Sequence, residues 1–281
     1  MSLLAKESCI RYGVVPYSNI LEIEKSYIGW KKYIEKKINR CIKINFETSY
    51  GNLINKFAQN NLDMGFVGPF TYVLIKEVKA IEPIVTTITS DGASTYKSYM
   101  VTTKEVAQTL GIFSTLKGEE GMKTIKQKLQ KFKKKWMIAF TDESSTAGYA
   151  IPNYYMKKVS LNPNDYFKKV TFVGTHDAAQ LVVRNNIIPI AFGAEMFYTR
   201  LLKDNKISKE SNKVIWESDD IPKSPIILKK ELSAKLKQKL QSALISIPKD
   251  FVPRLAKEVG YIKTDENSYK IIEDIYMYLK R

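Results

Sequence analysis

The chain has 281 residues, 44% of them hydrophobic, with 45 lysines and arginines against 29 aspartates and glutamates for a net charge of +16. That length and apolar content suit two ordinary globular domains, and no run of 18 apolar residues offers a membrane span. Only two cysteines occur, too few for a disulfide scaffold or a cysteine-ligated metal cluster.

Six of the basic residues are arginine, so lysine carries the charge. Lysines recur on nearly every predicted helix, with one dense cluster from Lys123 to Lys135. Solvated helix faces are therefore expected rather than a nucleic-acid surface, although the basic field can attract a small anion.

In chain order, the opening MSLLAKESCIRYG has too short an apolar stretch for a secretory signal. The protein is thus expected in the cytoplasm, or with an export signal that is not part of this sequence. Strand IRYGVV follows Cys9, helix LEIEKSYIGWKKYIEKKI comes next, and strand IKINFET starts just after Cys41. As neighbouring parallel strands they place both cysteines at one sheet edge, either as two small buried residues or as a disulfide. Helix YGNLINKFAQNN, strand MGFVG, helix PFTYVLIKEV and strands EPIVTTI and SYMVTT complete the first hundred residues.

After Thr103 a polar stretch and the lysine-rich helix GMKTIKQKLQKFKKK open a second series. It reads strand WMIAFT, helix TAGYAIPNYYMKKV, strand KVTFVG, helix HDAAQLVVRNN, strand IIPIAFG, helix EMFYTRLLKDN and strand KVIWES. The last segment, from IPKSPIIL through two further helices, is expected to rejoin the first domain. This alternation predicts an α/β fold of two lobes, each a mainly parallel sheet flanked by helices. The lobes are 1–103 plus 222–281 and 104–221, with crossings near 103 and 221 about which they can hinge.

Ligands of open α/β sheets sit beyond the carboxyl ends of the strands. Four strand-to-helix turns carry notable residues there: Thr48-Ser49-Tyr50, Gly68-Pro69, Ser144-Ser145-Thr146 and Thr175-His176-Asp177. A helix N-terminus offers unpaired N–H groups and roughly half a positive charge, which suits an oxyanion. Taken alone, each turn reads better as plain N-capping, and it is their convergence that favours a ligand. Ser144-Ser145-Thr146 followed by Ala147 and Gly148 holds more hydroxyls than a cap needs, and the glycine would let a ligand reach the backbone.

His176 is the only histidine, which limits catalytic readings. A Ser145–His176–Asp177 triad would use an aspartate that is the histidine's immediate neighbour, and no G-x-S-x-G elbow is present. A cysteine–histidine dyad would need Cys9 or Cys41, both at strand starts. Neither HExxH nor a calcium loop, P-loop or G-x-G-x-x-G occurs, so no metal, nucleotide or other cofactor is expected. A core or surface role for His176 stands beside the reading that fits its turn better, a hydrogen-bond donor to an anion.

Taken together, IRYGVVPY, LDMGFVGPFTYVL, TDESSTAGYAIP, VTFVGTHDAAQLVV and VIWESDDIPKSPIIL resemble, in order and over nearly the whole chain, one family. It comprises the substrate-binding proteins of phosphonate, phosphite and phosphate-type ABC transporters, within the type II periplasmic binding proteins. The resemblance implies a non-enzymatic two-lobed receptor that closes on a small phosphorus oxyanion. It also implies an ABC permease as partner, a periplasmic or membrane-anchored extracytoplasmic location, and a monomer. Carried onto these residues, Ser145 and Thr146 with the N–H groups through Ala147 and Gly148 hold the ligand oxygens, and His176 donates another bond. Tyr50 matches the pocket tyrosine of the first lobe, and Tyr96 the one near the hinge.

Ala147 departs from the family's Ser-Thr-Ser-Gly. Ser224 stands where relatives that bind aminoalkylphosphonates look to have aspartate. Asp177, Glu195, Asp219 and Asp220 are the carboxylates left to influence selectivity; a ligand without an amine, such as phosphite, phosphate or a small alkylphosphonate, is favoured, while Glu195, Asp219 and Asp220 leave an amine-bearing one open. A Ser145/His176 hydrolase and the sensor domain of a signalling protein are the alternatives.

Overall fold

The computed structural model describes residues 8–15, 17, 20–253 and 258–281. The expectation about an export signal rests largely on residues 1–7 and so lies outside the described residues. So do residue 16 of the IRYGVVPY motif and residues 254–257 of the last predicted segment.

The chain runs β1 (Ile10–Val14), α1 (Ile20–Ile38), β2 (Ile42–Phe46), α2 (Tyr50–Ala58), β3 (Met64–Phe66), α3 (Pro69–Lys76) and β4 (Ile81–Thr89). It continues through β5 (Thr95–Tyr96), β6 (Ser98–Thr102), α4 (Lys104–Thr109), β7 (Leu116–Lys117), α5 (Gly118–Leu129), β8 (Met137–Phe140), α6 (Ile151–Lys158) and α7 (Pro163–Tyr166). Then come β9 (Lys169–Phe172), α8 (His176–Arg184), β10 (Ile190–Ala194), α9 (Glu195–Lys203), β11 (Lys213–Glu217) and β12 (Ile221–Pro222). The chain ends with β13 (Pro225–Lys229), α10 (Ala234–Ile245), β14 (Glu258–Lys263) and α11 (Lys270–Lys280). Residue contacts divide it into two compact units: unit 1 from 1–16, 20–94 and 223–268, unit 2 from 17–19, 95–222 and 269–281. Among the described residues no helix is long and apolar enough to cross a membrane.

Unit 1 is built on a sheet of order β14-β4-β13-β3-β1-β2. β1 pairs in parallel with β2 and β3, while β13 and β14 enter antiparallel. α1 covers the sheet through a stripe of Ile23, Tyr27, Trp30, Ile34 and Ile38, the three-to-four spacing of one helix face. Trp30 stacks on Tyr12 of β1 with ring centroids 4.8 Å apart, so burial of large aromatic surface fixes the helix on its strand.

The parallel register Ile10↔Ile42 brings Cys9 beside Cys41, and Ile10 N–H donates to Cys41 C=O at 2.9 Å. The two are disulfide-bonded, with Cα atoms 4.6 Å apart. Both are exposed, which overturns the reading of two small buried residues. At the strand starts their side chains leave the core, and the bond closes the strand–helix–strand unit.

Unit 2 has the order β7-β11-β6-β10-β8-β9. Its core gathers Val101, Ala139, Ala179, Val183, Ile188, Ala191 and Leu201; alanines on β8 and β10 let α8 lie close to the sheet. β8 runs parallel to β9 and β10, so the carboxyl ends of these three strands share one edge. β6 is antiparallel to β10 with Ser98 opposite Ala194, which brings the start of β6 to that same edge.

The sequence reading put β6 in the first lobe, whereas it lies between β11 and β10 in the second sheet, with Met100 and Val101 fully buried. The C-terminal α11 likewise belongs to unit 2, where it packs on α6 and buries Ile272, Ile275 and Tyr276. Apart from the short excursion at 17–19, the chain thus passes between units at 94/95, 222/223 and 268/269. At the first two points β5 and β12 pair antiparallel, Tyr96 opposite Ile221.

Candidate functional site

The turn after β8 is organised by Asp142, whose side chain accepts from Ser144 N–H at 2.8 Å and whose C=O accepts from Ser145 N–H at 2.9 Å. Ser145 is extended (φ −78°, ψ 135°) and its Oγ accepts from Gly148 N–H at 3.2 Å. The next turn, Thr146–Ala150, is wound as a π-helix that runs straight into α6. Such wide turns recur at functional sites, and the partial positive charge of the helix end is aimed at whatever lies before Ser145. Ser145, Thr146 and Ala147 are only 1–3% exposed, and Ala147 C=O is held from behind by Ser98 Oγ at 2.6 Å.

Thr141 links this turn to the next one. Its N–H donates to Gly148 C=O at 3.2 Å, and its own C=O accepts from Gly174 N–H at 2.7 Å. A Cβ on Gly148 would stand 1.8 Å from Thr141 Oγ1. The glycine is thereby explained by close packing on Thr141, and its N–H is taken by the Ser145 cap.

Gly174, at φ +83°, supplies the left-handed residue that turns the chain from β9 into α8. Thr175 caps that helix by accepting from Ala178 N–H at 3.1 Å, and His176 is its first residue. The imidazole is 6% exposed and lies flat on Phe197, centroids 4.8 Å apart and planes within 5°. Its Nδ1 accepts from Ala194 N–H at 3.1 Å, so in the neutral ring the proton resides on Nε2. Burial, and secondarily the nearby Arg200 charge, push the pKa down to about 3. His176 is therefore a fixed, uncharged donor.

This geometry dismantles the triad. Nδ1 is occupied by a backbone donor, and Asp177 ion-pairs with Arg200 at 2.5 Å. Arg200 in turn lies over Phe197, 5.4 Å from the ring centroid. Asp177 thus supports the wall behind His176.

The other carboxylates of this edge are also engaged. Glu195 accepts from Lys97 N–H at 3.2 Å. Burial alone would raise Glu217, yet Lys97 at 2.8 Å and Lys117 at 3.3 Å hold it below its ordinary range. Asp219 accepts from Tyr155 OH at 2.5 Å, and burial together with that bond raises the Tyr155 pKa. Asp220 is exposed.

In unit 1, Tyr50 is the buried first residue of α2. Its neighbours behave as caps: Ser49 Oγ accepts from Asn52 N–H and Thr48 Oγ1 from Asn52 Nδ2. Gly68 precedes α3 without a side-chain cap. Ser224 leads into β13, and its C=O accepts from Thr86 Oγ1 at 3.3 Å. Tyr96 is buried within the β5–β12 pair.

Unit 2 therefore assembles Ser145, Thr146, Ala147, Gly148 and His176 along one edge, with Glu195 and Asp219 beside them. Tyr50 and Ser224 belong to unit 1. Sequence reasoning missed Thr141, Ser98, Phe197 and Arg200. Of these only Thr141, the residue directly after the strand WMIAF, carried a positional signal.

Among known proteins, the family described as ABC transporter, phosphonate, periplasmic substrate-binding protein matches residues 12–269. The phosphonates-binding periplasmic protein of Escherichia coli K12 is 22% identical over 236 residues, 84% of this chain. That match spans 65% of the relative's length, just under two thirds. The phosphate-import protein PhnD of Mycolicibacterium smegmatis is 22% identical over 278 residues, 94% of this chain and 80% of that one. The solved structure of PhnD1 from Prochlorococcus marinus in complex with methylphosphonate shares the fold, with a TM-score of 0.79, 20% identity and coverage of 97% and 98%.

Proposed function

Because the chain belongs to the phosphonate periplasmic substrate-binding proteins of ABC transporters, we propose that it captures a small phosphorus oxyanion outside the cytoplasm and hands it to a membrane permease. The two units act as the ligand-holding lobes, and the protein works as a monomer without chemistry on its ligand. The observation that carries this reading is the pair of helix N-termini in unit 2, tied together by Thr141 and completed by the uncharged donor His176. Hydroxyls of Ser145 and Thr146, backbone N–H groups of their turn and His176 Nε2 supply donors pointing several ways, as a tetrahedral anion requires. Tyr50 and Tyr96 are the two tyrosines that the family resemblance adds to the ligand-binding residues.

Hydrogen bonds to a charged group contribute about 1.5–3 kcal/mol each, so four or five suffice for a micromolar complex, which needs about 8 kcal/mol. Asp177, Glu195 and Asp219 already have partners. A desolvated ammonium would need a carboxylate of its own, so methylphosphonate, phosphite or phosphate fits better than an aminoalkylphosphonate. The named relatives span this class: phosphonates in E. coli, phosphate in M. smegmatis, methylphosphonate in the P. marinus complex.

Isothermal calorimetry with methylphosphonate, phosphite and phosphate tests the reading. Micromolar or tighter binding of at least one is expected. Absence of heat from all three at millimolar concentration refutes it.

A further inference from the structure

Two lysine-rich stretches distant in sequence meet on one face of unit 2. After α5 the chain passes through a 3-10 turn, Gln130–Phe132, before entering β8. Lys168 N–H donates to Trp136 C=O and Lys134 N–H to Tyr166 C=O, both at 2.7 Å; β8 and β9 then pair from Met137↔Lys169. Lys131, Lys133, Lys134, Lys135, Lys168 and Lys169 consequently share one surface, and all six are exposed.

Among the described residues none of the six ion-pairs with a carboxylate, whereas Lys123 and Lys158 nearby are paired with Glu120 and Glu119. Half-buried Phe132 and Trp136 lie between the lysines, ring centroids 5.3 Å apart, with Lys135 Nζ 5.4 and 5.1 Å from them. The face lies at the amino ends of β8 and β9. Within unit 2 it is therefore at the opposite sheet edge from the Ser145 and His176 turns.

We propose that this face docks on anionic lipid headgroups at a bilayer surface. All six cations are lysines, compact hydrated point charges that suit a fluid layer of phosphates, whereas arginine forks would signal a fixed bidentate partner. Clustered lysines near an anionic leaflet add their attractions within a Debye length, about 8 Å at physiological salt. Tryptophan and phenylalanine rings beside them match the amphipathic layer at headgroup level. A protein that serves a membrane permease gains local concentration from such a contact, and the turns at the far edge stay open. The inference does not depend on which anion those turns hold.

Co-sedimentation of the full chain with vesicles tests it, comparing phosphatidylcholine alone with a 7:3 mixture of phosphatidylcholine and phosphatidylglycerol in 0.15 M salt. Two quadruple variants with equal net charge are compared. One carries Lys131→Gln, Lys133→Gln, Lys135→Gln and Lys169→Gln; the other carries Lys32→Gln, Lys36→Gln, Lys235→Gln and Lys239→Gln, all exposed positions of unit 1.

The expected result is binding that requires phosphatidylglycerol and weakens at least ~10-fold in the first variant but less than ~3-fold in the second, with cooperative unfolding kept in both. Equal loss in the two variants, equal binding to neutral vesicles, or no binding at this salt would overturn the proposal. So would a patch-dependent preference for an RNA homopolymer over the anionic vesicles at equal phosphate.

Discussion

Acid should weaken the ligand-free protein through His176 in a way that can be worked out in advance. The buried neutral ring titrates at about 3 in the folded chain, against about 6.5 for an unfolded histidine. As pH falls through 6.5 the unfolded chain takes up a proton that the folded chain refuses. Stability from this group is therefore complete above pH 6.5 and is lost progressively down to pH 3. At pH 5 the gap of about 1.5 units corresponds to about 2 kcal/mol.

Urea denaturation at pH 7.5 and pH 5 measures it, with His176→Asn as the comparison. The asparagine oxygen can still accept from Ala194 N–H but cannot titrate. Wild type should lose about 2 kcal/mol more than the variant between the two pH values. Losses that agree within about 0.5 kcal/mol would refute the buried neutral tautomer. The same variant lacks the Nε2–H donor and should bind methylphosphonate about 10–100-fold more weakly.

Gly148→Ala forces a methyl into Thr141, 1.8 Å from its Oγ1; thermal denaturation should show a loss of about 2 kcal/mol or more, partly restored by adding Thr141→Ala. Ser145→Ala with Thr146→Val should lower oxyanion affinity by at least about 30-fold in calorimetry while cooperative unfolding persists; unchanged affinity would remove this turn from the site. Reduction of Cys9–Cys41, which spans 32 residues, should cost about 4 kcal/mol in denaturant titration by the chain-entropy relation, and intact mass should rise on reduction. A Cys9→Ser/Cys41→Ser protein of unchanged stability would contradict that account.

The features legible in the sequence were those fixed by local chemistry. Capping residues and the strand-end rule located Ser145 and His176, and two cysteines at successive strand starts predicted their adjacency. What stayed hidden depends on contacts between distant segments. A five-residue strand such as SYMVT reads the same in either sheet, and only pairing with β10 and β11 assigns β6 to unit 2. Asp177 meets its partner 23 residues later on α9, so spacing showed it only as a neighbour of the histidine.

The distinction between a nucleophilic triad and an anion cradle rests on a single atom, His176 Nδ1. Bound to a carboxylate it would make the ring a base toward Ser145. Bound to Ala194 N–H, with the ring buried and neutral, it leaves Nε2 only a proton to offer. Ser145 and His176 are then left with a hydroxyl and an N–H to donate and with no base between them, and the change lies in a backbone amide on β10 that no side-chain motif records.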